Sequence, residues 1–224
     1  MNPSPKPIPR VKPEPRWVRR KEARPEEITA AALTLFVEKG YANTRLEDVA
    51  TQAGVSKGTL YLYFANKQEL FKAVVREGLV SPISEVRGMI DQYEGKAFDL
   101  LGMVLRGWWQ RIGSKPVSGI PKLILAEARN FPEIAEFYLA EVVRPGLEAI
   151  VRIIENGVAA GEFRRVDARH IAQLVFAPTF LVSCWCNSLA PFDPQGMDPL
   201  RIIDEHLEML RRGLARDLAT IAEG

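Results

Sequence analysis

The spacing of apolar residues constrains this chain more than any other feature of its sequence. After residue 24, apolar side chains recur every three or four positions, and no segment alternates with a period of two for long. A spacing of three to four places side chains on one face of a helix, whereas a strand needs alternation. We therefore expect an all-α fold without internal repeats or strand pairs.

The first two helices are delimited by proline, glycine and a possible cap. Residues 25–39 form the first, which begins at a proline and stops before a glycine. The second follows Thr44, where the letters TRLE have the form of a capping box. In such a box the Thr44 hydroxyl accepts from the Glu47 amide while Glu47 reaches back. Gly54 ends this second helix.

The later helices are predicted from the same signals. Ser56 is a suitable N-cap for a third helix, and Asn66, with Glu69 three residues on, for a fourth. The pair Ser81-Pro82 is expected to break or bend the fourth helix. Pro145 is expected to kink a long helix, and Gly161 to end it. Longer helices are predicted at 96–112, 119–130, 132–159, 167–188 and 199–220.

Chain length and charge distribution predict three regions. A chain of 224 residues holds one sizeable core or two small ones, so we expect a small module and a larger one. Residues 1–24 alternate prolines with lysines and arginines, a composition typical of an extended, solvated tail. The tail serves either as an arm that contacts phosphates or as a solubilising extension. The predicted divisions are a tail at 1–24, a DNA-binding domain at 25–72 and a larger helical domain at 73–224.

The same composition argues against several classes of protein. No apolar run approaches the length of a membrane span, and the N-terminus lacks the apolar stretch of a secretory signal. Cys184 and Cys186 are too few and too close to staple a fold, which fits a reducing cytoplasm. His170 and His206 lie far apart, and no cluster has metal-ligand spacing. We expect no catalytic residue, metal or cofactor.

Two short helices joined by the letters AGVS have the form of a helix-turn-helix. The turn needs a left-handed residue, which Gly54 supplies. If Leu60 points into the core, a rotation of 100° per residue turns Gly58 and Leu62 outward. Residues 1–75 carry 13 Lys and Arg against 8 Asp and Glu, so this end of the chain suits an anionic polymer. The predicted partner is double-stranded DNA.

The segment from EEITAAALTLFVEKG to AGVSKGTLYLYFANKQELF, residues 26–72, closely resembles the TetR family of bacterial transcription regulators. The resemblance implies an all-helical homodimer in which a DNA-binding domain precedes a domain for ligand binding and dimerisation. It also implies that the helix after Ser56 is the recognition helix. The positions that it assigns to DNA contact are Thr44, Arg45, Lys57, Gly58, Thr59, Tyr61, Leu62, Tyr63 and Lys67.

Beyond residue 80 the likeness is weaker, and two helices are predicted to meet a second subunit. The helix at 167–188 is apolar nearly all round, and the helix at 199–220 is amphipathic. Paired across two subunits, they would make the four-helix interface of the family. The resemblance also implies a cavity for a largely apolar or aromatic effector. The residues predicted to bind this effector are Met103, Arg106, Trp108, Trp109, Phe131, Tyr138, Phe176, Phe180 and Trp185.

These features predict a ligand-responsive repressor that a small hydrophobic effector releases from a palindromic operator. Two other interpretations remain open at the level of sequence. One is a DNA-binding protein whose larger domain is controlled by a protein partner, and the other is a helical enzyme that carries the same motif. An internal cavity would favour the small molecule, whereas an exposed apolar surface without a cavity would favour the protein partner.

Overall fold

The computed structural model describes residues 25–216, and its regular elements are all helical. Within that range the only β-type pairing is an isolated bridge between Phe163 and Ala215. The all-α prediction is therefore confirmed. The predicted tail at 1–24 and the end of the predicted last helix lie outside the described residues. No described helix is both long enough and apolar enough to cross a bilayer.

The N-terminal unit consists of α1 (Pro25–Lys39), α2 (Leu46–Gln52) and α3 (Lys57–Tyr63). The cap predicted at Ser56 is confirmed, because its hydroxyl accepts a hydrogen bond from the Thr59 amide at 3.0 Å. Gly54 takes a φ of +69°, a left-handed conformation that L side chains rarely adopt. The cap and the glycine together fix the angle at which α3 leaves α2.

The capping box predicted at Thr44 is wrong. The Thr44 side chain is buried, and its hydroxyl donates to the carbonyl oxygens of Gly40 at 2.7 Å and Leu35 at 3.2 Å. Arg45 occupies the N-cap position of α2 without a side-chain cap. These carbonyls belong to α1 and to the loop after it, and they capture the hydroxyl that the local pattern assigned to α2.

The larger part of the structure contains eight further helices, several of them joined through π-helical turns. The helices are α4 (Lys67–Val75), α5 (Ser81–Gln92), α6 (Ala97–Trp108), α7 (Ile120–Glu127), α8 (Pro132–Tyr138), α9 (Arg144–Ala159), α10 (Ala168–Cys186) and α11 (Pro199–Leu214). The three π turns are Arg76–Val80, Trp109–Gly113 and Leu139–Val143. Short 3-10 helices span Pro116–Gly119 and Ala190–Phe192.

Two prolines that suggested a break or a kink instead follow π turns. Pro82 and Pro145 each stand at the second residue of a helix, α5 and α9, directly after a π turn. A proline lacks the N–H that would continue the helical ladder, and the wider turn before it accommodates the missing bond. The helical run therefore continues from Lys67 to Gln92, and α5 is an element that the proline signal concealed.

The last predicted helix is shorter than expected. It ends at Leu214, and the carbonyl of Leu214 accepts from the backbone N–H of Arg164 at 2.9 Å. This bond lies beside the bridge between Phe163 and Ala215, which holds the segment after Gly161 against the end of α11. A tertiary contact therefore stops the helix, and no local signal for it exists in the sequence.

Two apolar clusters form the interior. The first cluster, called the first core below, contains residues of the four helices α1, α2, α3 and α4. It also contains residues of α7, α8 and the third π turn, so the small and large parts share a core. The second is built mainly from α6, α9, α10 and α11. The division predicted between residues 72 and 73 falls inside α4. Helices α1 and α4 are therefore packed against the larger part and not joined to it by a linker.

Candidate DNA-binding surface and ligand cavity

Helix α3 directs one face into the core and the other into solvent. Leu60 is fully buried, whereas Leu62 is 84% exposed and Tyr61 and Tyr63 are 43% and 47% exposed. A methyl group placed on Gly58 would approach only the Ser56 hydroxyl, at 3.8 Å, so the helix is open there. This face is smooth at its start and apolar or hydroxyl-bearing further on, a shape that suits a groove of DNA.

A salt bridge joins the start of α3 to α2. The Lys57 ammonium lies 2.5 Å from the Glu47 carboxylate and 5.8 Å from the centre of the Tyr61 ring. The hydrogen bond from Lys57 lowers the pKa of Glu47 and raises the pKa of Lys57. Both side chains are more than half exposed, so the pair is worth little in water. It nevertheless places the Lys57 charge at the outer edge of α3.

Lys67 has local partners that the sequence did not suggest. Its ammonium donates to the carbonyl oxygens of Tyr41 at 2.8 Å and Ala42 at 3.1 Å. It also lies 4.6 Å from the centre of the Tyr41 ring, and burial lowers its pKa. Lys67 therefore holds the loop between α1 and α2 against the start of α4.

The structure divides the nine residues assigned to DNA contact into two groups. Seven lie on α3 or at the start of α2 and are exposed or half-buried: Arg45, Lys57, Gly58, Thr59, Tyr61, Leu62 and Tyr63. Thr44 and Lys67 differ, because the first is buried and the second bonds to the loop before α2. The Thr44 hydroxyl is buried and already donates its hydrogen to a carbonyl, so it cannot donate to a phosphate. The assignment of Thr44 to DNA contact is therefore wrong.

A cavity of about 530 Å³ lies among α5, α6, α8, α9 and α10. Its wall is mainly aliphatic and aromatic, and that volume is typical of small-molecule sites. All three π turns contribute to the wall, through Leu79, Ile112 and Val142 among others. Such turns are frequent at functional sites. Burial raises the pKa of the Tyr138 hydroxyl, which therefore stays protonated.

Four of the nine residues predicted to bind a ligand line the cavity, and five do not. The four are Met103, Trp108, Tyr138 and Phe176. Arg106 lies outside the wall, and its guanidinium is 2.9 Å from the Asp204 carboxylate. Phe131 packs edge-on against Tyr41, with ring centres 4.8 Å apart. The other three that lie outside the wall are Trp109, Phe180 and Trp185. The four residues in the wall lie on α6, α8 and α10, and the face that each helix presents to the cavity depends on tertiary packing.

Helix α5 supplies a wall of the cavity that was not predicted from the sequence. Pro82, Ile83, Val86 and Met89 line one side of the cavity, and Glu85 and Arg111 stand at its rim. The apolar spacing of Ile83, Val86 and Ile90 was a usable helical signal. The expected break at Pro82 outweighed it, so no cavity residue was assigned to α5.

A continuous set of contacts links the cavity to the DNA-binding helices. Pro121, at the start of α7, lines the cavity, and Glu127, at its end, accepts the Ala42 backbone N–H at 3.0 Å. Burial and the nearby carboxylates of Glu133 and Glu127 raise the pKa of Tyr41 to about 12. Four residues belong both to the cavity wall and to the first core: Leu79, Ile112, Tyr138 and Val142.

Comparison with known proteins supports this arrangement over most of the chain. Residues 28–74 match the family model for bacterial regulatory proteins of the tetR family. Residues 101–209 match the model for the C-terminal domain of AefR-like transcriptional repressors. The fatty acid metabolism regulator protein of Bacillus subtilis is 25% identical over 199 residues, which cover 87% of this chain and 98% of that protein.

Solved structures show the same fold. The transcriptional regulator FadR from Bacillus subtilis, in complex with stearoyl-CoA, superimposes with a TM-score of 0.63 at 24% identity, over 85% of this chain and all of that one. A regulator from Saccharomonospora viridis, in complex with choline, gives a TM-score of 0.69 at 17% identity, over 86% and 97% of the two chains. The two matched models together span more than half of the sequence. The chain therefore belongs to the TetR family of bacterial regulatory proteins, and it is a transcriptional regulator and not an enzyme.

Proposed function

We propose that this chain is a dimeric repressor that leaves its operator when a compound with a long apolar chain fills the cavity. The observation that carries the proposal is the cavity itself, which is large, mainly apolar and connected to the first core. An internal cavity favours a small-molecule effector over a protein partner. The DNA-binding surface and the cavity then act as two sites coupled through one structure.

The DNA contacts are proposed for the exposed side of α3 and the start of α2. Lys57 and Arg45 supply charge to phosphates, and Tyr61, Tyr63 and Thr59 supply hydroxyls to phosphates or base edges. Gly58 allows the helix backbone to approach the duplex, since nothing but the Ser56 hydroxyl stands near it. Lys67 acts by fixing the loop before α2, and any phosphate contact of its own uses its remaining ammonium hydrogen.

The effector is proposed to be a fatty acyl compound, of which acyl-CoA is one form. The cavity wall supports an aliphatic chain, because most of its side chains are hydrocarbon. The relative from Bacillus subtilis is named for fatty acid metabolism, and FadR was solved with stearoyl-CoA. Those ligands belong to those proteins. The apolar cavity of this chain is suited to a ligand of that kind.

Two subunits are proposed to pair through α10 and α11. Leu174 and Leu181 on α10 are 61% and 59% exposed, and Met209 on α11 is 71% exposed. Large apolar side chains grouped on adjacent helices are typical of a subunit interface. A closed two-fold pair would present two copies of α3 to the two halves of a palindrome.

Release follows if the effector favours a conformation that fits DNA poorly. The ligand contacts Tyr138 and Val142, which also pack in the first core beside α4. Movement there is transmitted to α1 and the loop at Ala42 through Glu127 at the end of α7. In this mechanism the ligand and the operator favour different arrangements of the same packed side chains.

The direct test is binding to a fragment from the promoter region of its own gene. Purified full-length protein should retard this fragment at low ionic strength, where phosphate contacts are strongest. Dodecanoyl-CoA should then release it, whereas coenzyme A alone should not. Failure to bind the fragment would contradict the DNA-binding part of the proposal. Binding that no acyl compound reverses would contradict the effector.

A second test concerns the exposed Leu62, which is proposed to cover a thymine methyl group in the major groove. Replacing that thymine by uracil removes only the methyl group, and should weaken binding by about 0.8 kcal/mol per half-site, roughly fourfold. The same replacement should have no effect on the Leu62→Ala variant, because the contact is already lost. The measurement is fluorescence anisotropy with operators substituted at each thymine in turn. Equal losses in both proteins would remove Leu62 from base recognition.

A further inference from the structure

The rim of the cavity carries a salt bridge that neither the fold nor the proposed function explains. Most of the residues that line the cavity are buried or half-buried, but five are exposed and mark its mouth. The five are Glu85 and Met89 on α5, Met103 on α6, and Gln110 and Arg111 on the second π turn. The mouth therefore opens between α5 and the segment formed by α6 and that turn.

Glu85 and Arg111 face each other across this mouth. The Arg111 guanidinium donates to the Glu85 carboxylate at 2.7 Å. Within the described part of the chain, they are the only charged residues in the cavity wall. Both side chains are about 60% exposed, at 61% for Glu85 and 60% for Arg111. An ion pair so well solvated contributes little to stability, so another anion can replace the carboxylate at little cost.

Close packing of the second π turn fixes the backbone position of Arg111. A Cβ atom added at Gly113 would overlap the rings of Trp109 and Trp108, so the turn is packed closely against both indoles. Trp108 in turn lines the cavity beside Phe176, with ring centres 6.5 Å apart. The guanidinium that extends from this turn is a suitable recognition group for a carboxylate or phosphate, which it can bind in two-point fashion.

We propose that Arg111 is the head-group site of the cavity and that the effector is an anionic amphiphile. Its apolar chain enters between α5 and α6, and its carboxylate or phosphate replaces the Glu85 carboxylate on Arg111. The inference rests on the proposed function and adds the charge of the ligand to it. Helix α4 continues through the first π turn into α5. Loss of the salt bridge between Glu85 and Arg111 therefore also frees the helical segment that leads to the DNA-binding unit.

The test compares three probes that share one chain: dodecanoyl-CoA, dodecanoate and 1-dodecanol. Binding to the full-length protein is followed by tryptophan fluorescence, since Trp108 lines the cavity. The wild-type protein should bind both anions at least roughly tenfold more tightly than the alcohol. Arg111→Gln should remove that preference without weakening the alcohol, and Arg111→Lys should restore part of it. If Arg111→Gln weakens only dodecanoyl-CoA binding, the phosphates are the group that Arg111 recognises. If it weakens the binding of both anions, Arg111 recognises the carboxylate as well.

The variant Glu85→Gln should change the affinity for anions in the opposite direction. Removing the competing carboxylate should tighten binding of the two anions by a few-fold, roughly twofold to fivefold, and leave 1-dodecanol unchanged. The matched control is Asp91→Asn, because Asp91 pairs with Arg152 and ties the same helix α5 to α9 outside the cavity. This control should change none of the three affinities.

Three results would overturn the assignment of Arg111. They are equal binding of alcohol and anions by the wild-type protein, equal weakening of all three probes by Arg111→Gln, and a response of Asp91→Asn like that of Glu85→Gln. The first two leave an uncharged apolar effector intact as the proposed function. Failure of every probe to bind, with operator binding retained, would reject the acyl effector and this inference together.

Discussion

Gly107→Phe should weaken dodecanoyl-CoA binding by about a thousandfold and keep the operator occupied at ligand concentrations that release the wild-type protein. Gly107 lies on α6 in the cavity wall, between Val104 and Trp108, and no atom stands within 4 Å of an added Cβ. A phenyl ring there fills space that the ligand needs. If it displaces on the order of 150 Å² of ligand surface, the loss is roughly 4 kcal/mol.

The fold should tolerate this substitution, because glycine is among the least favourable residues in a helix. The matched control is Gly88→Phe on α5, where an added Cβ also meets open space but the residue is outside the cavity wall. It should bind ligand and operator as the wild-type protein does. Titration of tryptophan fluorescence and operator retardation measure the two functions separately. Normal ligand affinity in Gly107→Phe would show that the cavity is not the effector site.

Tyr61→Ala should abolish most specific operator binding without changing the melting temperature much. A side chain that contacts phosphate or a base edge is worth about 1–3 kcal/mol, and a dimer uses it twice, so the expected loss is roughly 2–6 kcal/mol. The folded state loses little, because Tyr61 is 43% exposed and the Lys57 ammonium, 5.8 Å from the centre of its ring, is exposed as well. Anisotropy on the operator and thermal unfolding provide the two measurements.

Tyr61→Phe separates the hydroxyl from the ring, since it removes the hydrogen bond and keeps the apolar contact. Leu125→Ala controls for the loss of an exposed apolar side chain, because Leu125 on α7 is 66% exposed and lies outside α3. It should leave operator binding unchanged. A large drop in melting temperature for Tyr61→Ala, with operator affinity intact, would reverse the assignment and make Tyr61 a packing residue.

Local signals account for the parts of this structure that the sequence predicted well. The caps at Ser56 and Asn66 and the left-handed Gly54 all act within a few residues of their own position. Such features need no knowledge of the rest of the chain. The exposed face of α3 followed from helical geometry once Leu60 was placed in the core, and the structure buries Leu60 completely. The start and the outward face of α3 were therefore predictable.

Contacts between distant segments account for what could not be predicted. Thr44 satisfies carbonyls of the preceding helix and loop, and Glu85 meets Arg111 from 26 positions away. Arg106 lies on α6 and Phe131 directly precedes α8, but the side chain of Arg106 pairs with Asp204 and the ring of Phe131 packs against Tyr41. Periodicity states which residues share a face, and it does not state which neighbour that face meets. The cavity wall was for this reason only partly identified.

The packing of α4 limits how freely this protein can exchange parts with its relatives. Phe71 on α4 touches Phe36 and Tyr41, while Tyr41 also meets Phe131 of the larger part. A hybrid cut at residue 72 would bring a foreign surface against this aromatic group. Recombination between family members therefore has to preserve matching side chains at this contact. New sensing specificities should arise more readily by substitution inside the cavity than by exchange of whole domains.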